Sequence, residues 1–286
     1  MLRLIQPVHL LLVILTYTFG ASIADYLGES FLPDSFWLGL VAVVFLQTSM
    51  SLLPEIFRLD VEPLLENETR KARQSLRNNA LYISVASLGS VALIAYILFN
   101  TDRLPPTTFY FLLLSFIIAF VYSIPPFRLI NRGWGEFLRA VQIAYVVPSI
   151  AFTLRADGTH RFLALTIPLT CLAFAYFIVM NFRTFAQDEK YNRVTFLTLL
   201  GWERVVPIHH FFVGLAYILF LAAPAFGLSL SLIWQIFLIL PFAIFQIAQL
   251  RNIALSAPAN WKMLTATALA VFGLTTYFLT LTFWIR

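Results

Sequence analysis

Long apolar runs separated by short polar segments make up most of the chain. A helix that crosses about 30 Å of hydrocarbon needs about 20 residues, and nine runs approach that length. Their ranges are 8–27, 35–53, 80–99, 108–124, 137–154, 162–181, 207–227, 231–249 and 262–284. None shows the alternation of apolar and polar positions that is typical of barrel strands. The pattern therefore predicts an all-α polytopic membrane protein with nine transmembrane helices.

The composition agrees with a membrane protein. Of the 286 residues, 60% are hydrophobic and only 12% are charged, which is about half the charge of a typical soluble domain. No small-residue cleavage site follows the first apolar run, so we expect no cleavable signal peptide. The lone cysteine, Cys171, excludes an intrachain disulfide. No linker or shift in composition divides the chain, so residues 1–286 are predicted to form one domain.

The basic residues predict how the chain is oriented in the membrane. The side with the N-terminus and every second loop carries 15 of the 19 Lys and Arg residues, and the opposite side carries 4. The positive-inside rule places the richer side in the cytoplasm, with the C-terminus on the other side. The net charge of +5 is therefore interpreted as an insertion signal, and nucleic acid is not expected as a partner.

The first polar segment follows the second apolar run. If the helix continues through it, Glu55, Arg58 and Glu62 share one face, because they are spaced by three and four residues. Arg70 and Arg73 come shortly afterwards. The plain alternative is a helix end that carries charges for solubility.

The second polar segment is the loop at 122–136. Pro125 and Pro126 force the chain out of the helix. Arg128 and Arg132 suit phosphate, because the planar guanidinium group binds two oxygens at once. The alternative interpretation is an anchor for anionic lipid headgroups, a common role of arginines beside a membrane span.

The third polar segment ends the sixth apolar run. Asn181, Thr184 and Asp188 are spaced by three and four residues and share one helical face. Polar groups at a membrane boundary are costly, so they are candidates for function.

These segments together resemble the UbiA superfamily of intramembrane prenyltransferases. Residues 122–129 (YSIPPFRL) are similar to the loop Y-S-x-P-P-x-K-L of that family. Residues 181–201 resemble the second aspartate motif, N-x-R-D-x-x-x-D-x-x-x-G-x-x-T, and the segment after it. Residues 54–62 align best with the first motif, N-D-x-x-D-R-x-x-D, and Arg70 and Arg73 resemble the basic pair that follows it.

The resemblance implies nine helices around a central cavity. The activity it implies is transfer of a prenyl group from a prenyl diphosphate to a lipophilic acceptor of the quinone-precursor, chlorin or carotenoid type. It implies catalytic roles for Glu55, Glu62 and Asp188, with magnesium bound by these three acids. Arg58, which departs from the motif, is a fourth catalytic candidate because of its position among them. It implies contacts to the diphosphate from Arg70, Arg73, Tyr122, Arg128, Arg132, Asn181 and Arg183.

The aspartate motifs depart from the family pattern. Arg58 stands where the first motif has its middle acid, and Thr184 stands where the second has its first aspartate. At most three of the five acids remain, as Glu55, Glu62 and Asp188. We hypothesise that the guanidinium of Arg58 replaces one of two magnesium ions, so that the protein needs one ion or none.

Three other functions stay open at this stage. Loss of the acids is compatible with a catalytically impaired lipid-binding protein, and the same cavity would serve a terpene cyclase. A transporter is the weakest of them, because transporters place polar groups near the middle of the membrane. Here the strong polar groups lie at one end of the predicted spans.

Overall fold

The computed structural model describes residues 2–58, 69–156 and 158–285, which form helices and short connections without strands. The helices are α1 Leu2–Ile5, α2 Pro7–Tyr26, α3 Pro33–Ile56, α4 Arg70–Asn100, α5 Pro106–Ser123, α6 Gly135–Val141, α7 Val147–Thr153, α8 Thr166–Lys190, α9 Phe196–Leu200, α10 Trp202–Ala222, α11 Leu230–Ile233, α12 Leu240–Ala254 and α13 Trp261–Ile285. Short 3-10 helices lie at Leu129–Asn131, Arg161–Leu165, Ala223–Phe226 and Trp234–Ile239. Within the described ranges, eight helical segments are long and apolar enough to cross a membrane. The predicted all-α membrane fold is therefore confirmed.

The predicted fifth span, 137–154, is not one uniform helix. It consists of α6, a π-helix at Gln142–Val146, and α7. Pro148 lies in the first turn of α7 and lacks the N–H that would continue the α-helical pattern, so the wider turn precedes it. The eight spans counted above do not include this segment, and the predicted total of nine remains unconfirmed.

Several helices extend further than the apolar runs that predicted them. α4 begins at Arg70 and not near 80, and its N-cap Thr69 accepts a hydrogen bond from the backbone N–H of Ala72. α8 continues to Lys190, nine residues past the apolar run that ends at 181. Hydrophobicity marks the width of the hydrocarbon layer, whereas helices continue past it wherever their backbone hydrogen bonds can form.

α8 lies at the centre of the bundle. In the segment Arg161–Lys190, 78% of the most apolar 18-residue window is buried inside the protein, against 28% for the corresponding window of α4. α8 packs against α6, α10 and α13, while α2 packs against α7 and α13 and α3 packs against α4. α8 thus has neighbouring helices on several sides.

One end of the bundle is tied together by Arg155, whose side chain is 2% exposed. Its guanidinium donates hydrogen bonds to the Asp25 carboxylate at 3.0 Å and to the backbone carbonyls of Ala21 at 2.9 Å and Glu29 at 2.8 Å. A buried guanidinium with all these acceptors satisfied stabilises the connection between α2 and α3. The contacts of Arg155 therefore give it a structural role.

α2 and α7 approach each other at Gly20. A Cβ atom at this position would lie 2.0 Å from the carbonyl oxygen and 2.7 Å from the Cα of Pro148. Only a residue without a side chain allows the two backbones to come so close. The contact fixes the position of α7 against α2.

We predict that Gly20→Ala destabilises the protein by about 1–3 kcal/mol, because the added methyl group overpacks the contact. Gly89→Ala in α4 is the matched control, since no described atom lies within 4 Å of its Cβ position. Alanine there is expected to be neutral or to stabilise the helix by up to about 1 kcal/mol. Unfolding of the two purified variants in mixed micelles measures the difference, and equal stabilities would contradict the prediction.

Candidate functional site

A polar cavity of about 160 Å³ lies at the end of the bundle opposite Arg155. It is formed where α2 and α6 begin and where α3, α5 and α8 end. Among the described residues, four arginines (Arg58, Arg128, Arg139 and Arg193) and three acids (Glu55, Glu136 and Asp188) line it. Residues far apart in the sequence thus meet in one cavity.

Glu55 and Arg58 enter the cavity from the end of α3. The helix ends at Ile56, so it does not continue through the first polar segment as the three-and-four spacing suggested. The Arg58 guanidinium still lies 2.7 Å from the Glu55 carboxylate, and Arg77 donates a hydrogen bond to the backbone carbonyl of Arg58. Both the side chain and the backbone of Arg58 are therefore held in place. Glu62 lies outside the described residues.

Arg128 reaches the cavity from the diprolyl loop. Its backbone has a φ of 37° in the left-handed region, and its N–H donates to the carbonyl of Ile124 at 2.9 Å. A non-glycine residue in this conformation costs about 1–2 kcal/mol, and such strain often accompanies function. Burial lowers the pKa of the Arg128 guanidinium. The nearby Glu55 carboxylate raises this pKa, and the nearby Arg58 guanidinium lowers it further.

The polar face of α8 carries Asn181, Thr184 and Asp188 into the cavity, as their spacing predicts. Asp188 is 2% exposed. One of its oxygens accepts a hydrogen bond from the Thr184 hydroxyl at 2.7 Å, and the other lies 3.3 Å from the Arg193 guanidinium. Burial, followed by repulsion from Arg58, lowers the pKa of Arg193 to about 10. The Glu55 carboxylate acts in the opposite direction and raises this pKa. An anion between these arginines would relieve that repulsion.

Glu136 is a cavity residue that the sequence analysis did not select. It lies in the first turn of α6 and is 7% exposed. Its Oε1 accepts hydrogen bonds from the Asn181 amide and from the backbone N–H of Phe196, the latter at 3.2 Å. Its Oε2 is buried and has no hydrogen-bond partner among the residues that the structure describes. One carboxylate thus joins the loop at 122–136 to α8 and α9.

Arg139 is the second cavity residue that was not among the site residues predicted from the sequence. Its guanidinium lies over the rings of Tyr122, at 5.1 Å from the ring centroid, and Phe177, at 5.9 Å, and donates to the Gln6 side chain at 3.3 Å. Aromatic faces orient a guanidinium in this way. Glu136 is the last residue of the polar segment 122–136, and Arg139 follows three residues later. That spacing was the signal in the sequence that could have identified them.

Four predicted diphosphate ligands do not line the cavity formed by the described residues: Arg70, Arg73, Arg132 and Arg183. Arg132 donates to the carbonyl of Pro126 at 2.7 Å and so braces its own loop. Arg183 is exposed, because it lies two residues, or about 200°, around α8 from Asn181. Arg70 is exposed at the start of α4.

The described cavity could hold magnesium only if the substrate and water supplied most of its ligands. Among the described residues, no three His, Cys, Asp or Glu side chains come together in a group that could hold a metal ion. Magnesium is commonly held by one or two carboxylates together with oxygens of the substrate and water. The Oε2 atoms of Glu55 and Glu136 are both buried without a hydrogen-bond partner among the described residues, although that of Glu55 lies 2.7 Å from the Arg58 guanidinium. An ion bound here would therefore need most of its ligands from the substrate and water.

Solved structures with the same fold include a UbiA homolog from Archaeoglobus fulgidus. Bound to DMAPP and Mg2+, it has a TM-score of 0.67 and 17% identity, covering 100% of this chain and 99% of that chain. Bound to GPP and Mg2+, it has a TM-score of 0.65 and 16% identity over the same shares. A digeranylgeranylglyceryl phosphate synthase has a TM-score of 0.63 and 16% identity, with 97% of this chain and 96% of that chain covered.

Comparison with curated proteins gives no match. The model of the UbiA prenyltransferase family matches residues 12–269, which is most of the chain. This match agrees with the fold, with the diprolyl loop and with the polar end of α8. The chain belongs to the UbiA prenyltransferase family.

Proposed function

We propose that the protein is an intramembrane prenyltransferase that moves a prenyl group from a prenyl diphosphate to a lipophilic acceptor. The observation that carries the proposal is the convergence of Arg58, Arg128, Arg139 and Arg193 on one cavity at the end of the bundle. The structures of family members with DMAPP and GPP support it. We propose that residues 1–286 act as one domain for this reaction.

The charges in the cavity suit a diphosphate. Glu55 neutralises Arg58, and Asp188 neutralises Arg193, through the contacts described above. Arg139 is held by aromatic rings and a neutral amide, so its positive charge is available to an anion. Hydrogen bonds from guanidinium to phosphate oxygens are charge-assisted and stronger than neutral ones.

In the proposed reaction the bond between C1 of the prenyl group and the diphosphate oxygen breaks, and its electron pair leaves with the diphosphate. The arginines of the cavity stabilise the charge that develops on that oxygen. The nucleophilic atom of the acceptor then bonds to C1, and its proton passes to the released diphosphate. Apolar residues of the cavity lining, such as Phe177 and Met180, would shield the allylic cation from capture by water.

The proposal includes at most one magnesium ion. When bound, magnesium would supply further positive charge to the leaving diphosphate. Glu55 and Asp188 already face fixed guanidinium groups, and Thr184 donates a hydrogen bond where the family pattern has an acid. These residues therefore demand fewer cations than an all-acid site would.

We predict that Arg139→Met weakens binding of geranyl diphosphate by about 10- to 150-fold, the equivalent of one charge-assisted hydrogen bond of about 1.5–3 kcal/mol. Arg204→Met is the control, because Arg204 is exposed in the first turn of α10 and does not line the described cavity. Titration calorimetry on both variants in detergent measures the effect. Equal weakening in the two variants would assign binding to surface charge and contradict the proposed site.

Prenyl transfer as a function of magnesium concentration tests the single-ion proposal. We expect the wild-type protein to reach full activity with a dependence on magnesium of first order or lower. Arg58→Asp/Thr184→Asp, which restores two acids of the family pattern, is expected to require more magnesium and to show a steeper dependence. Absence of turnover in the wild type with any prenyl donor, combined with activity of the double variant, would reject the proposal.

We also propose that the cavity opens on the cytoplasmic side, as the distribution of basic residues predicts. In a Cys171→Ser background, cysteines are placed at the exposed positions Thr101, at the end of α4, and Asn260, before α13. A membrane-impermeant maleimide is expected to label Thr101→Cys in intact spheroplasts. Asn260→Cys should react only after the membrane is opened, and the reverse pattern would invert the proposed orientation.

A further inference from the structure

We propose that Asn181 binds the lipophilic acceptor, with its amide oxygen accepting a hydrogen bond from a hydroxyl group of that acceptor. This inference rests on the proposed function and narrows it to acceptors that carry a hydroxyl group. It also reassigns Asn181, which the resemblance to the family placed among the diphosphate ligands. The reason lies in the direction in which the Asn181 amide is held.

Glu136 determines which end of the Asn181 amide faces it. Its Oε1 accepts a hydrogen bond from the amide nitrogen of Asn181 and another, at 3.2 Å, from the backbone N–H of Phe196. An ionised carboxylate accepts hydrogen bonds and donates none, so the NH2 group of Asn181 must be the part that meets it. The two ends of an amide side chain look alike, but this partner distinguishes them.

The amide oxygen of Asn181 is left for another molecule. It accepts no hydrogen bond from any residue that the structure describes, and it is not one of the described side-chain atoms that are buried without a partner. Asn181 is partly buried and lines the polar cavity. The cavity surface at Asn181 therefore includes an accessible oxygen that can accept a hydrogen bond.

An oxygen in this place does not suit a diphosphate. Phosphate oxygens and the amide oxygen both accept hydrogen bonds, so neither satisfies the other, whereas Arg58 and Arg193 offer charged donors. The matching group is an O–H donor. Among the acceptor types left open by the sequence, a phenolic quinone precursor supplies such a donor. An acceptor that reacts as a hydrocarbon or as a carboxylate supplies none.

Asn181 also lies where the polar part of the α8 face meets its apolar part. Phe177 precedes it by four residues and Thr184 follows it by three, and all three line the cavity. Further along the same helix, Asp188 contacts Arg193. The rise from Asn181 to Asp188 is about 10 Å along the helix axis. A diphosphate at Arg193 and an acceptor hydroxyl at Asn181 would therefore occupy different parts of one face.

The test compares two probes on the full-length protein saturated with geranyl S-thiolodiphosphate, a donor analogue that does not react. Naphthohydroquinone donates hydrogen bonds, and its dimethyl ether does not. By calorimetry under argon, we expect the wild type to bind the hydroquinone about 10-fold tighter than the ether, the worth of one hydrogen bond. Asn181→Leu should bind the two probes within about 2-fold of each other, because the acceptor oxygen has gone.

Affinity for the donor analogue separates the two possible roles of Asn181. If the amide binds the acceptor, Asn181→Leu keeps an affinity for geranyl S-thiolodiphosphate within about 2-fold of the wild type. If it binds the diphosphate, that affinity falls by about 10-fold and the preference for the hydroquinone is unchanged. The second result would overturn the inference. A wild type that binds neither probe, or both equally, would overturn it too.

Two variants of Glu136 test the orientation and keep the test decisive if Asn181→Leu does not fold. Glu136→Gln retains an oxygen that can accept from both Asn181 and Phe196, so the preference for the hydroquinone should stay near 10-fold. Glu136→Met removes that oxygen and leaves the amide free to rotate, so the preference should fall below about 3-fold. Equal preferences in these two variants would contradict the inference.

Glu189→Met is the control for the loss of a carboxylate, because Glu189 is exposed. It should show the wild-type preference for the hydroquinone. The affinity of the wild type for geranyl S-thiolodiphosphate is measured first and without either probe. If the protein does not bind this analogue, the proposed function fails. If it binds the analogue but does not distinguish the probes, only the role of Asn181 fails.

Discussion

The site depends on the cost of burying charge at the end of an apolar bundle. Removing an ion from water costs several kcal/mol unless a partner of opposite sign is close. The protein meets this cost by pairing Glu55 with Arg58 and Asp188 with Arg193. Arg139, in contrast, contacts aromatic rings and a neutral amide. Under the proposed function, this guanidinium is the one placed to meet an anion.

Helix ends deliver these charges because the apolar spans cannot carry them. α3 stops at Ile56 and leaves Arg58 in the loop that follows, while α5 stops at Ser123 before the prolines. α8 instead continues past its apolar run and carries Asp188 on a helical face. α8 itself lies at the centre of the bundle and packs against several neighbours. The other segments converge on it, and Glu136 joins it directly through Asn181.

Periodicity predicted only part of this arrangement. Asn181, Thr184 and Asp188 lie on a helix, where spacing by three and four determines the shared face, so their grouping could be read from the sequence. Arg128 and Arg132 are also four residues apart, but they lie in a loop, where spacing carries no such meaning. The left-handed backbone of Arg128 directs it to the cavity, and Arg132 bonds to its own loop. Long-range contacts such as Glu136 to Phe196 depend on packing that no local pattern encodes.

The two departures from the family pattern, Thr184 and Arg58, both reduce the need for bound cations. An acid at position 184 would stand one turn from Asp188 as a like-charged neighbour and would need a cation to be stable. Thr184 donates a hydrogen bond to Asp188 instead. An acid at position 58 would likewise add negative charge beside Glu55, whereas Arg58 neutralises it. Each replacement therefore removes the need for a cation at its own position.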